Sequence, residues 1–155
     1  MKKALIIFEE KYDAFLREFA KGKTMVLSTS ENDKVSSRMM SVVCIGGEFY
    51  FQTDRTFRKY RQLAANPHVA LCIDNIQIEG ICRELGHPMD DPEFCAAFKE
   101  CFAGSFRAYS SLENERLFAV KPSYIERWIY SKGVPFLEIF DMERQTYELE
   151  EYRGK

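Results

Sequence analysis

Residues 49–72 read FYFQTDRTFRKYRQLAANPHVALC. FYFQT is an aromatic, β-favouring run of the kind that forms a strand. A polar turn follows, then a short basic helix over about 56–65, which stops where Asn66-Pro67 takes the backbone out of the helical region. HVALCI, residues 68–73, is strand again. Four cations, Arg55, Arg58, Lys59 and Arg61, crowd the start of the helix. The chain as a whole has 22 Lys and Arg against 24 Asp and Glu, a formal charge of -2. The basic turn is therefore a local concentration of charge, and a local concentration suggests an anion site.

Upstream, Phe8, Tyr12, Phe15, Leu16 and Phe19 recur at the helical period, and Gly22 suits the stop of that helix. TMVLSTS (24–30) and VSSRMMSVVCI (35–45) then read as strands joined by the polar ENDK turn. Gly46-Gly47 signals a second hairpin, into EFYFQT (48–53). Downstream, HVALCI and IQIEGICREL (76–85) form a further hairpin around Asp74-Asn75. The pattern predicts a helix over 92–102, with Phe94, Phe98, Cys101 and Phe102 on one face and Pro92 in the first turn, and another helix over 111–119. Three more strands are expected near 123–130, 135–140 and 145–152. Antiparallel strands joined by tight turns, with helices between them, indicate a mainly β fold: a β-barrel with α decoration. No repeat or Pro/Gly/Ser-rich linker divides the chain, so residues 1–155 are read as a single domain.

With 46% hydrophobic and 14% aromatic residues, the chain has the material for a packed core. The charge balance argues against a globally basic nucleic-acid binder. Between Lys3 and Glu9 lie only Ala4 to Phe8, short of the roughly 7–15 apolar residues of a secretory signal. No stretch approaches the roughly 20 apolar residues of a membrane span. Cys44, Cys72, Cys82, Cys95 and Cys101 are odd in number and sit mostly among apolar neighbours, which fits buried reduced thiols in a cytoplasmic protein.

On a helical wheel, Phe57, Tyr60, Leu63 and Ala64 fall on the side expected to meet the barrel, and Arg58, Lys59 and Gln62 on the other. Thr53, Asp54 and Thr56 offer oxygens for a helix cap. A helix opening after a strand presents free N–H groups and about half a positive charge, so cations in its first turn favour a phosphate. A solvated cationic face is the plainer reading of the same residues. In VSSRMMSVVCI, Arg38, Met40, Val42 and Cys44 share one face. Arg38 in mid-strand calls for a partner: either a carboxylate, Asp54 or Glu48, or an anion shared with the helix cations.

The run R-MMSVV, then FYFQTDRTFRKYRQLAANPHVAL, then PSYIERW, resembles the pyridoxamine 5'-phosphate oxidase-like flavoproteins, whose fold is an FMN-binding split β-barrel. The resemblance spans about residues 24–130. It implies that Arg38, Arg58 and Lys59 meet the FMN phosphate, and that the backbone of Met39, Met40 and Ser41 edges the isoalloxazine ring. It implies further FMN contacts from Gln52 and Thr53, from Asn75 where the family often has Gln, and from Trp128, supplied by the second subunit of a homodimer. The vitamin-processing oxidase has Lys at the position of Val43, Ser at that of Phe57, and an Arg-x-His-x-Arg pattern where Val134, Phe136 and Glu138 stand here. The resemblance therefore implies an FMN-dependent oxidoreductase acting on another small molecule, with a nicotinamide nucleotide as candidate electron partner. A flavin, deazaflavin or haem protein with a sensing or storage role is the alternative.

No general acid or base stands out. His68 follows Pro67 at a strand start and reads as structural. His87 lies near Asp90 and Asp91, but adjacent acids point apart and Asp91-Pro92 is an ordinary helix start, so no metal site is expected. Cys95 and Cys101 lack zinc spacing.

Overall fold

The computed structural model describes residues 2–154. Helix α1 (Lys2–Arg17) leads into strands β1 (Lys23–Glu31), β2 (Lys34–Ile45) and β3 (Glu48–Asp54). Helix α2 (Arg58–Ala65) follows, then β4 (His68–Ile73) and β5 (Ile76–Gly86). A single 3₁₀ turn (Pro88–Asp90), helix α3 (Pro92–Cys101) and short helical turns over 103–110 precede β6 (Glu115–Ser131), β7 (Val134–Asp141) and β8 (Thr146–Glu151). All strand pairings are antiparallel, in the order β3-β2-β1-β4-β5-β6-β7-β8, and an extra β3–β6 pairing closes the first six strands into a barrel. This is a split β-barrel, with β7 and β8 extending the sheet beyond the closure.

The turns follow from their residues. Gly46 and Gly47 both take positive φ, 59° and 81°, which lets β2 reverse into β3. Inside the barrel lie Met25, Leu27, Phe49, Phe51, Leu71, Ile78, Val120 and Ile125, all fully buried or nearly so. Helix α1 lays Phe8 and Phe15 on this core; Phe15 meets Phe140, and the Tyr12 hydroxyl donates to the Gly47 carbonyl at 3.1 Å. Helix α3 packs on the outer face instead. Its Phe94 and Phe98 form a separate apolar cluster with Val43 and Leu117. The Asp91 carboxylate caps α3 by accepting from the Phe94 N–H at 2.9 Å, with Pro92 in the first turn.

The helix expected over 111–119 does not form. Residues 115–119 begin the 17-residue strand β6, and the helical turns lie earlier, over 103–110. Pro122 conceals the continuity, because a proline ordinarily ends a central strand. Here a bulge absorbs it: Glu79 pairs with Tyr124 but Gly80 pairs with Pro122. Gly80 is required at that crossing, since a Cβ there would fall 2.6 Å from the Lys121 carbonyl oxygen. Leu117, Phe118, Ala119 and Val120 are buried on both faces of the strand, so no alternation betrays it.

All five cysteines are free thiols. Cys82 is buried, Cys44, Cys95 and Cys101 are half-buried, and Cys72, against expectation, is exposed. No helix among the described residues is long and apolar enough to cross a membrane.

Candidate cofactor site at the split of the barrel

The β2–β3 ladder is short. It runs from Ile45↔Glu48 to Val43↔Tyr50 and stops. Beyond Val43, β2 continues alongside β1, through Ser41↔Thr24, Met40↔Met25 and Met39↔Val26, while β3 continues alongside β6, through Gln52↔Leu117 and Thr53↔Arg116. The two strands diverge, and between them opens a cavity of about 430 Å³. Met39, Met40 and Ser41 form one lip and Gln52, Thr53 and Asp54 the other, with Phe57 and Lys59 at the start of α2. Along Met39–Ser41 the edge of β2 that faces β3 has no ladder partner, so its backbone groups are available to a ligand.

The segment after β5 supplies the outer wall: Phe98 from α3, then Ser105, Tyr109 and Leu112. Phe98 anchors that wall, being 1% exposed. Ser110 ties it to the floor by donating its hydroxyl to Gln52 Oε1 at 2.8 Å.

Arg38 reaches across β1 toward α2. Its guanidinium donates to the Leu27 carbonyl (3.2 Å), Thr29 Oγ1 (2.8 Å) and Gln62 Oε1 (2.7 Å). Gln62 also accepts from Thr29 Oγ1 at 2.7 Å and donates to Ser36 Oγ at 3.1 Å. These neutral partners fix the guanidinium without cancelling its charge. Neither Asp54 nor Glu48 pairs with Arg38; Glu48 pairs with Arg83. Among the described residues, Arg38, Arg58 and Lys59 have no ion-pair partner. Lys59 Nζ lies 3.3 Å from Thr53 Oγ1 and 5.0 Å from the centre of the Phe57 ring.

These cations burden one another. Burial, then the Arg58 charge, holds Arg38 below its ordinary pKa; burial, then the Arg38 charge, does the same to Lys59. A surface salt-bridge network would raise both. An anion placed among them relieves the repulsion.

Helix α2 differs in two respects from its reading in the sequence. Its N-cap is Phe57, which has no side-chain cap; the Asp54 carboxylate accepts instead from the Thr56 N–H (2.8 Å) and hydroxyl (2.7 Å) within the preceding turn, and Thr53 engages Lys59. The opening N–H groups thus keep no side-chain acceptor, which suits an incoming phosphate. The buried face is also rotated. Gln62 lies inside at 2% exposure with Leu63, whereas Ala64 is exposed and Phe57 is 53% exposed at the cavity mouth. The hydrogen bonds offered by Arg38, Thr29 and Ser36 outweigh Gln62's preference for water.

Of the residues singled out in the sequence, Met39, Met40, Ser41, Gln52, Thr53 and Lys59 line one cavity. Arg38 and Arg58 do not line it: Arg38 bonds Gln62, which with Arg58, Arg61, Lys34 and Glu31 lines a neighbouring shallow recess. Asn75 and Trp128 lie elsewhere in the chain, paired with each other: the Asn75 carbonyl accepts from the Trp128 N–H at 3.3 Å, and the indole meets Tyr130 and Tyr152 edge-on. Glu115 lines the cavity and no sequence pattern pointed to it. His68 is exposed and donates its N–H to Asn66, while the His87 ring meets the Leu112 carbonyl and the Met89 N–H.

A family model described as pyridoxamine 5'-phosphate oxidase matches residues 8–129. The chain belongs to the pyridoxamine 5'-phosphate oxidase-like family. Among curated proteins none matches the chain. Solved structures match it in fold. An FMN-binding, pyridoxamine 5'-phosphate oxidase-related protein from Nostoc punctiforme is 13% identical, with a TM-score of 0.60 over 94% of this chain and 95% of that one. PhzG from Burkholderia lata, solved with tetrahydrophenazine-1-carboxylic acid, is 17% identical, with a TM-score of 0.60 over 96% and 91%. The heme storage protein HutZ from Vibrio cholerae is 18% identical, with a TM-score of 0.57 over 74% and 89%. At such identities these structures share a fold with this chain, and their ligands are their own.

Proposed function

We propose that this member of the family is an FMN-dependent oxidoreductase acting on a small molecule, a cytoplasmic homodimer, and not a pyridoxamine phosphate oxidase in the strict sense. The observation that carries the reading is the set of cations without a salt-bridge partner, Arg38, Arg58 and Lys59, beside an uncapped helix start and a strand edge without a ladder partner among the described residues. The residues fit the cofactor: a phosphate near-dianion for the cations and α2 N–H groups, and a polar ring edge for the backbone of Met39–Ser41. Gln52 and Thr53, on the opposite lip, would hold the chain between ring and phosphate in place. Bound there, the flavin would supply the redox chemistry, and the protein its binding and electrostatics.

Asn75 and Trp128 enter this account through the partner subunit of the dimer, where as an adjacent pair they would complete the other chain's cofactor site. The argument against vitamin processing is chemical. Val43 is buried among Phe94, Phe98 and Leu117, and Glu138 is bound by Arg127 at 2.8 Å and by Tyr147 at 2.7 Å. Neither offers a cation to a substrate phosphate. Haem is a weaker fit than FMN: among the described residues no His or Cys lines the cavity, and both ring nitrogens of His87 are engaged.

The experiment is cofactor extraction and mass determination from freshly purified protein, followed by steady-state assays with nicotinamide nucleotides and an electron acceptor. FMN in stoichiometric amount together with turnover supports the reading. Haem or deazaflavin replaces the cofactor assignment, and tightly held FMN without turnover favours a storage or sensing role.

A further inference from the structure

Once the phosphate and ring contacts are assigned, the rest of the cavity has a distinct character. Asp54, Phe57, Phe98, Ser105, Tyr109, Leu112 and Glu115 remain, with no cation among them. Three are aromatic, and Phe57 and Tyr109 are more than half exposed, so their rings are open to a ligand. Glu115 is the unusual member. It opens β6 opposite Asp54, is 6% exposed, and no protein group donates a hydrogen bond to its carboxylate among the described residues. The surface it retains opens into the cavity. Its carboxylate oxygens keep some accessible surface, so a ligand that fills the cavity must meet them, and covering them without a donor would cost free energy.

We infer that Glu115 is the substrate-recognition residue of this cavity, and that the substrate is a planar apolar molecule carrying a cationic or N–H-donating nitrogen. This rests on the FMN reading, because Lys59 must be occupied by the phosphate for Glu115 to seek another partner. The charged groups facing Glu115 are Asp54 across the β3–β6 ladder, Lys59 on α2 and His87 before α3. Burial, then Asp54, raises its pKa above the usual carboxylate value, against the opposing pull of Lys59 and His87. The aromatic walls add cation–π attraction for the same ligand class. With Lys59 engaged by the phosphate, an anionic substrate would meet the Asp54 and Glu115 carboxyl groups. That inverts the charge preference expected of a pocket built for a phosphorylated vitamin.

The test uses FMN-loaded protein and three probes sharing one ring system: 1-methylquinolinium, quinoline and quinoline-4-carboxylate. Flavin difference spectra and probe fluorescence report binding. The cation is expected to bind at least about tenfold more tightly than the carboxylate, because an attractive charge contact with Glu115 takes the place of a repulsive one. Glu115→Gln should abolish that preference while leaving quinoline affinity within about twofold. In the wild type, affinity for the permanently charged cation should rise with pH as Glu115 ionises; in Glu115→Gln, which keeps Asp54, Lys59 and His87, this rise should disappear. Equal or tighter binding of the carboxylate, or a cation preference that survives in Glu115→Gln, overturns the inference. If that variant does not fold, a flat pH profile for the cation in the wild type overturns it equally. Failure of the FMN reading is seen separately, as absence of a flavin band after incubation with FMN, and the inference that rests on it then falls with it.

Discussion

Lys59→Met separates what the cationic cluster does for a ligand from what it does for the fold. In the free protein the ammonium makes one long hydrogen bond, 3.3 Å to Thr53 Oγ1, forms no salt bridge, and is opposed by burial and Arg38 against the pull of Glu115 and Asp54. Losing that bond costs about 0.5 kcal/mol, and removing a half-buried charge that forms no salt bridge offsets it. The melting temperature of the flavin-free variant should therefore stay within about 2–4 °C of wild type, the shift that roughly 1 kcal/mol produces in a chain of this size. Binding should respond differently. A charge-assisted contact to a phosphate contributes about 1.5–3 kcal/mol, so the Kd for FMN should rise roughly 10–150-fold. Riboflavin lacks the phosphate, and its affinity should not change. Flavin fluorescence quenching at fixed ionic strength measures all four affinities, and their difference isolates the Lys59–phosphate interaction. Equal losses for FMN and riboflavin, or an unchanged Kd for FMN, would refute the assignment of Lys59 to the phosphate.

Other perturbations test the framework. Phe98→Ala should destabilise the protein by about 3–5 kcal/mol in urea unfolding, because it empties the apolar cluster beneath the cavity wall. Gly80→Ala drives a Cβ toward the Lys121 carbonyl at the β-bulge and should greatly reduce the yield of folded protein, as read by circular dichroism. Burial, then the Glu126 carboxylate that accepts from the Tyr124 hydroxyl, pushes that phenol from 10.0 up to about 12. A raised pKa gives stability that is whole below pH 10 and lost as pH climbs through about 12; alkaline melts should show this limb, and Tyr124→Phe should lack it. With a thiol reagent at pH 8, exposed Cys72 should react quickly and Cys82 slowly, since burial holds the Cys82 thiol at about 12.

The sequence made the barrel legible where turn chemistry and strand pattern agreed. Gly46-Gly47, the ENDK turn and Asn66-Pro67 each mark a boundary the chain respects. β6 was hidden because its two signals conflicted: residues 117–120 are buried on both faces, which erases the alternation, and Pro122 resembles a stop until a bulge absorbs it. The same error concealed Glu115, since only as a strand partner of Asp54 does it face the cavity. Gln62 was misplaced for another reason. A helical wheel sorts residues by polarity, whereas Gln62 is drawn inward by Arg38, Thr29 and Ser36, none of which is its neighbour in sequence. The cations, by contrast, were readable because strand end, turn and helix start lie within a single short stretch.

A crystal structure of the FMN complex tests the central claim most directly. The account predicts the phosphate among Arg38, Arg58, Lys59 and the opening N–H groups of α2, with the ring along the free edge of β2 at Met39–Ser41. A flavin seated away from the divergence of β2 and β3, or bound with its phosphate remote from those three cations, would contradict it.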